Sequence, residues 1–100
     1  MLLFLSSLGL WAQKNNKIAD KAFKVQDYYT AQKFYELGIK QGEDTGKKIK
    51  PRRQAEIYYR MAESCRYIYL FTQAETYYKK VADSPEKLAF IDTDFWYAYT

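Results

Sequence analysis

The sequence predicts an all-α protein built from antiparallel helix-turn-helix units, and three observations lead there. Apolar residues recur at helical spacing, with Phe71, Ala74, Tyr78 and Val81 at i, i+3, i+7 and i+10 and therefore on one face of one helix. The chain has only 4 Gly and 2 Pro among 100 residues and no convincing run of alternating strand residues, so a β fold is disfavoured. Finally, Asp27 to Ile39 (DYYTAQKFYELGI) is echoed 43 positions later by Leu70 to Ala82 (LFTQAETYYKKVA). The overlay sets Tyr28 on Phe71, Ala31 on Ala74, Phe34 on Tyr77 and Tyr35 on Tyr78. Upstream, Ile18 falls on Met61, Ala19 on Ala62, Asp20 on Glu63 and Ala22 on Cys65.

In chain order, Leu2 to Trp11 (LLFLSSLGLW) is an apolar run ending at Ala12, and a polar stretch, QKNNK, follows. This pattern predicts a secretory signal peptide over residues 1–12, cleaved after Ala12, because the run falls short of the roughly 20 apolar residues of a membrane-spanning helix. The alternative is a buried or amphipathic first helix. No Lys or Arg precedes the run, and Leu10 rather than a small residue stands three positions before the cut.

A helix is expected from about Asn15 to Val25, with Ile18, Ala19 and Ala22 inward, together with Val25 or Gln26. A second follows from about Tyr28 to Lys40, with Asp27 ending the first or capping the second. Residues 42–51 form a polar connector, since helix propensity collapses around Gly42 and Gly46. Pro51 suits the first turn of a third helix, about Arg52 to Tyr69, with Ile57, Tyr58, Met61, Ala62 and Cys65 inward. A fourth covers about Thr72 to Asp83. Ser84 caps a short turn at Pro85, and Asp92 or Thr93 opens a fifth helix containing Phe95, Trp96, Tyr97 and Tyr99.

With 11 Tyr, 6 Phe and 2 Trp, the chain has enough apolar mass for a core despite its overall polarity. The formal charge of +4 is modest and points only weakly to acidic partners. A single cysteine, Cys65, excludes an internal disulfide, and the lack of histidine removes the commonest member of zinc sites and catalytic triads. The expected protein is therefore not an enzyme and carries no metal or cofactor. Cys65 has no histidine to activate it and reads as a buried thiol. Asp92 and Asp94 lack the glycine and distal glutamate of a calcium loop and read as helix caps. The segment GEDTGKK has the wrong glycine spacing for a phosphate-binding loop.

The unit resembles the tetratricopeptide repeat. Tyr58 stands where that family prefers Trp, Met61 and Ala62 replace its Leu-Gly pair, and Cys65 replaces a Tyr. Ala74, Tyr78 and Pro85 follow near the expected places. The earlier copy keeps Tyr28, Ala31, Tyr35 and Gly38. The resemblance implies about two and a half repeats of an α-solenoid within residues 13–100. Repeat 1 lies at about 15–41, repeat 2 at about 52–85 and the start of a third at about 92–100. The chain is also similar to the N-terminal repeats of Bacteroidetes cell-envelope proteins, where such repeats precede a propeller and an OmpA-like peptidoglycan-binding domain. Some of those proteins serve type IX secretion and gliding.

What this resemblance implies is an exported scaffold, periplasmic or associated with the outer membrane, that binds a protein or peptide segment. Its contact residues would be Lys17, Lys21 and Lys24 on the first helix and Glu56, Tyr59, Arg60, Glu63 and Tyr67 on the third. Self-association would run through Phe95, Trp96, Tyr97 and Tyr99 if the chain ends at Thr100. The alternative is a polyanion-binding module using Lys47, Lys48, Lys50, Arg52 and Arg53, although nucleic acid is not expected for an exported chain.

Overall fold

The computed structural model describes residues 2–46 and 48–90, with side chains described at 9–46, 48–87, 89 and 90. Among these residues every regular element is helical: α1 Leu2–Lys24, α2 Tyr28–Thr45, α3 Pro51–Tyr67, α4 Phe71–Ala82 and a 3-10 turn Lys87–Ala89. The chain divides into two compact units, residues 1–48 and 49–100, each holding one helical hairpin. The expected fifth helix lies outside the described residues.

In the first unit α1 and α2 are antiparallel, as successive contacts show. Asn15 Nδ2 donates to Gln41 Oε1 at 2.7 Å, the Tyr35 hydroxyl donates to Asp20 Oδ1, and the Phe23 and Tyr28 rings meet edge-on at 5.7 Å. Partner numbers fall on α2 as they rise on α1. The helices come closest at Gly38, where a Cβ would sit 2.1 Å from Asn16 Oδ1 and 3.1 Å from the Ala12 carbonyl oxygen. No side chain fits that crossing. Ala12, Ala19, Ala22, Ala31, Tyr35 and Ile39 fill the rest of the interface.

That close approach explains one departure from expectation. Ile18, expected inward, is exposed. The inner face belongs instead to Ala12, Asn15, Asn16, Ala19 and Ala22, because a crossing this tight admits small side chains and excludes a β-branched one. Val25 is also exposed, since it lies in the turn. The helix begins at Leu2 rather than near Asn15, and Ala12 lies within the α1–α2 interface. Leucine, alanine and lysine are good helix formers and no proline interrupts them.

The α2 helix also runs further than expected, through Gly42 to Thr45. Thr45 Oγ1 donates to the Gly42 carbonyl, and Gly46 closes the helix at φ 62° with its N–H on Glu43 O. The connector therefore shrinks to residues 46–50. Pro51 opens α3 as expected.

In the second unit α3 and α4 are antiparallel around Ala55, Ile57, Met61, Ala62, Cys65, Ala74, Tyr78 and Val81, all buried. Tyr58, expected inward, is half-buried and lies 5.8 Å from the Tyr77 ring. Phe71, at the first position of the predicted face, is about half exposed because it starts the helix at the turn. The Ser84 hydroxyl accepts from Glu86 N, capping the short turn as expected.

The two hairpins turn in the same way. Gln26 and Tyr69, 43 positions apart, both take a left-handed backbone, at φ 63° and 67°. Asp27 N donates to Ala22 O at 2.9 Å, and Leu70 N donates to Cys65 O at 2.8 Å. Asp27 also caps α2, its carboxylate accepting from Thr30 N. Leu70, at the same place before α4, cannot.

Candidate functional site

The surface of α3 is built on two linked polar groups. Arg53 and Arg60 both reach Glu56, the first as a close hydrogen-bonded ion pair and the second at 3.9 Å. One turn further on, the pattern goes below the surface. Glu63 accepts from the Tyr78 hydroxyl at 2.6 Å through Oε1 and from Arg66 Nη2 at 2.8 Å through Oε2, while Arg66 Nε donates to the Tyr78 oxygen at 3.1 Å. The three side chains close a ring of charge-assisted bonds under α3. Burial pushes the Tyr78 phenol well above its usual range, and the hydrogen bond to Glu63 adds to the effect. Burial opposes the charge on Arg66, but hydrogen bonds with Tyr78, Tyr67 and Glu63 hold its guanidinium protonated beyond the ordinary arginine range.

Glu63 therefore departs from expectation. Helical spacing places it on the exposed stripe with Glu56, Arg60 and Tyr67, yet it is 7 % exposed and committed to Tyr78 and Arg66. Glutamate reaches inward here because α4 offers a phenol where the stripe meets the core. The first unit has the counterpart, Tyr35 bonding Asp20, again 15 residues apart. The signal was present in the sequence as Asp20 over Glu63 and Tyr35 over Tyr78; what it did not reveal was that the two members of each copy bond to each other.

The other predicted α3 residues do reach the surface. Tyr67 is about half exposed, with the Arg66 guanidinium 4.3 Å from its ring centroid. Arg60 and Glu56 are half-buried in their ion pair. Tyr59 is half-buried, stacked on Phe90 at 5.0 Å and edge-on to Tyr78 at 6.4 Å. Lys80 lies 5.5 Å over the Tyr58 ring. This is a face of oriented aromatic rings and paired charges, able to offer hydrogen bonds and flat apolar contact.

In the first unit Lys17, Lys21 and Lys24 are all exposed on α1, as expected. Of the alternative basic run, Lys48 and Lys50 are exposed, Arg53 is held by Glu56, and Arg52 lies 3.9 Å from Glu86 with its guanidinium 5.6 Å from the Phe90 ring. Lys47 lies outside the described residues, as do Phe95, Trp96, Tyr97, Tyr99, Asp92 and Asp94. Cys65 is buried and its thiol lies 3.7 Å from Gln73 Oε1. Among the described residues no cluster of three or more cysteine or carboxylate side chains is placed to hold a metal ion, and no helix is long and apolar enough to cross a membrane.

No protein-family model matches the chain, and comparison with curated proteins and with solved structures likewise finds no match.

Proposed function

We propose that the chain is a non-catalytic protein-interaction scaffold of the bacterial cell envelope, a tetratricopeptide-like stack of helical hairpins at the head of a larger OmpA-like or type IX secretion and gliding-associated protein. One observation carries this reading. Two hairpins share a turn with a left-handed residue at the same place, the same hydrogen bond across it and a tyrosine–carboxylate pair at the same positions, each displaced by 43 residues. A unit that is used twice with its tyrosine–carboxylate bond intact favours a repeat architecture, whose role is to hold side chains in fixed array for a partner. On this reading Arg60, Tyr67 and Tyr59 meet the partner segment, and Glu63 positions Arg66 from below. Tyrosine and arginine are frequent hot spots in protein interfaces.

The test is photo-crosslinking in intact cells, with the reactive group at Arg60 or Tyr67 on α3 and, as control, at Thr76 on the exposed side of α4. The reading expects one discrete protein adduct from α3 and none from Thr76. Equal labelling from both helices, or none from either, overturns it.

A further inference from the structure

Three of the four arginines of α3 are neutralised within the helix, and the contrast with α1 is informative. Arg53, Arg60 and Arg66 each have a carboxylate partner three or four residues away. On α1, Lys14, Lys17, Lys21 and Lys24 follow at i, i+3, i+7 and i+10 along one exposed stripe, with no acidic residue among the exposed positions between them. The same side of the helix carries Leu10 and Trp11, each 59 % exposed, and Ile18. Leu10, Trp11, Lys14 and Lys17 line one shallow open depression.

The partner helix also ends early. Because Asn15 pairs with Gln41 in an antiparallel hairpin, the last residue of α2, Thr45, comes level with about Trp11. The α1 backbone from Leu2 to Leu10 therefore continues beyond the end of α2 for about 13 Å at 1.5 Å per residue. Its sequence there, LLFLSSLGL, has no charged residue. Going along the helix, an uncharged apolar extension gives way to an exposed tryptophan and then to a ladder of lysines.

We infer that α1, when its N-terminal turns are retained, docks the protein on an anionic membrane surface. Leu10 and Ile18 enter the headgroup and acyl boundary, Trp11 sits at the interface, and the lysines meet lipid phosphates. Tryptophan favours that depth because its ring is apolar and its N–H polar, and lysine stems bury along the boundary while their ammonium groups remain wet. This goes beyond the scaffold reading and does not depend on the identity of any protein partner. An acidic protein segment could satisfy the lysines alone, but it would leave the exposed Leu10, Trp11 and Ile18 uncovered.

The experiment is co-sedimentation of the full chain, Met1 included, with phosphatidylcholine vesicles with and without about one-third phosphatidylglycerol, at low and raised salt. A Trp96→Phe background leaves Trp11 as the single tryptophan reporter. The expected result is salt-sensitive binding to the anionic vesicles with a blue shift of Trp11 emission. Changing Lys14, Lys17, Lys21 and Lys24 to Gln should weaken that binding by about fivefold per lysine removed. These positions are exposed, so an unchanged circular dichroism spectrum is expected of the variant. A separate Leu10→Ser, Ile18→Ser pair, which keeps the Trp11 reporter, should abolish the blue shift. Failure of the wild-type chain to bind either vesicle, unchanged affinity in the lysine variant, or binding to polyglutamate but not to vesicles would overturn the inference.

Discussion

Replacing Tyr78 with Phe should cost this small protein about 2 to 3 kcal/mol, far more than loss of one oxygen from the surface would. The ring is fully buried and Phe fills the same space, so no cavity opens. What disappears is a 2.6 Å hydrogen bond to Glu63 and the acceptor for Arg66 Nε at 3.1 Å. A hydrogen bond to a charged group contributes about 1.5 to 3 kcal/mol, and the stranded Glu63 oxygen then pays for desolvation with only Arg66 to compensate. Urea unfolding followed by circular dichroism measures the loss, and a cycle with Glu63→Ala measures the coupling, expected above about 1 kcal/mol. The ionisation of Tyr78 adds an independent signature. Its phenol is raised in the folded state, so the stabilisation is complete below the ordinary tyrosine pKa of about 10 and is lost as pH rises above it, by up to about 1.4 kcal/mol per pH unit. Wild type should therefore lose stability more steeply than Tyr78→Phe above that pH. A cost under about 0.5 kcal/mol, or additivity with Glu63→Ala, would refute the reasoning.

Three further substitutions test the packing account. Gly38→Ala drives a Cβ against Asn16 and the Ala12 carbonyl and should destabilise by about 1 to 3 kcal/mol; adding Asn16→Ala should recover part of the loss in the same unfolding assay. Tyr69→Gly relieves a left-handed backbone at a residue that is 78 % exposed and should stabilise by about 0.5 to 1 kcal/mol after the lost ring contact with Phe71, read as a higher unfolding midpoint. Ala31→Leu and Ala74→Leu, at fully buried positions, should each cost about 1 to 3 kcal/mol, with neither matched by Leu at exposed Thr72.

Much of the second hairpin could be read from residue spacing. Pro51 marked the start of α3, Ser84 the following turn, and Ile57, Met61, Ala62, Cys65, Ala74, Tyr78 and Val81 the core. The first hairpin was less legible because its inner face is built of Ala, Asn and Gly, which leave little hydrophobic periodicity. Ile18 is the first apolar residue after the polar run QKNNK and draws the inward assignment to itself, although the tight crossing at Gly38 turns it outward. The end of α2 was misplaced because a glycine costs a helix only about 1 kcal/mol, less than the following Glu43, Asp44 and Thr45 recover in continued hydrogen bonding. Of the candidate surface, the exposed lysines and Tyr67 were legible from helical phase, whereas Glu63 was not. A glutamate on a polar stripe normally faces water, and its inward turn depends on a phenol supplied by α4, 15 residues away.

The most direct test of the scaffold account is the size of the native particle in a gently solubilised envelope fraction, compared between wild type and an Arg60→Ala, Tyr67→Ala variant. Both residues are accessible at the α3 surface and neither belongs to the fully buried core. The account predicts a particle larger than the chain alone that dissociates in the variant while the helical signal of the purified variant stays unchanged. An identical particle in both, or a wild-type chain that migrates alone, would contradict it.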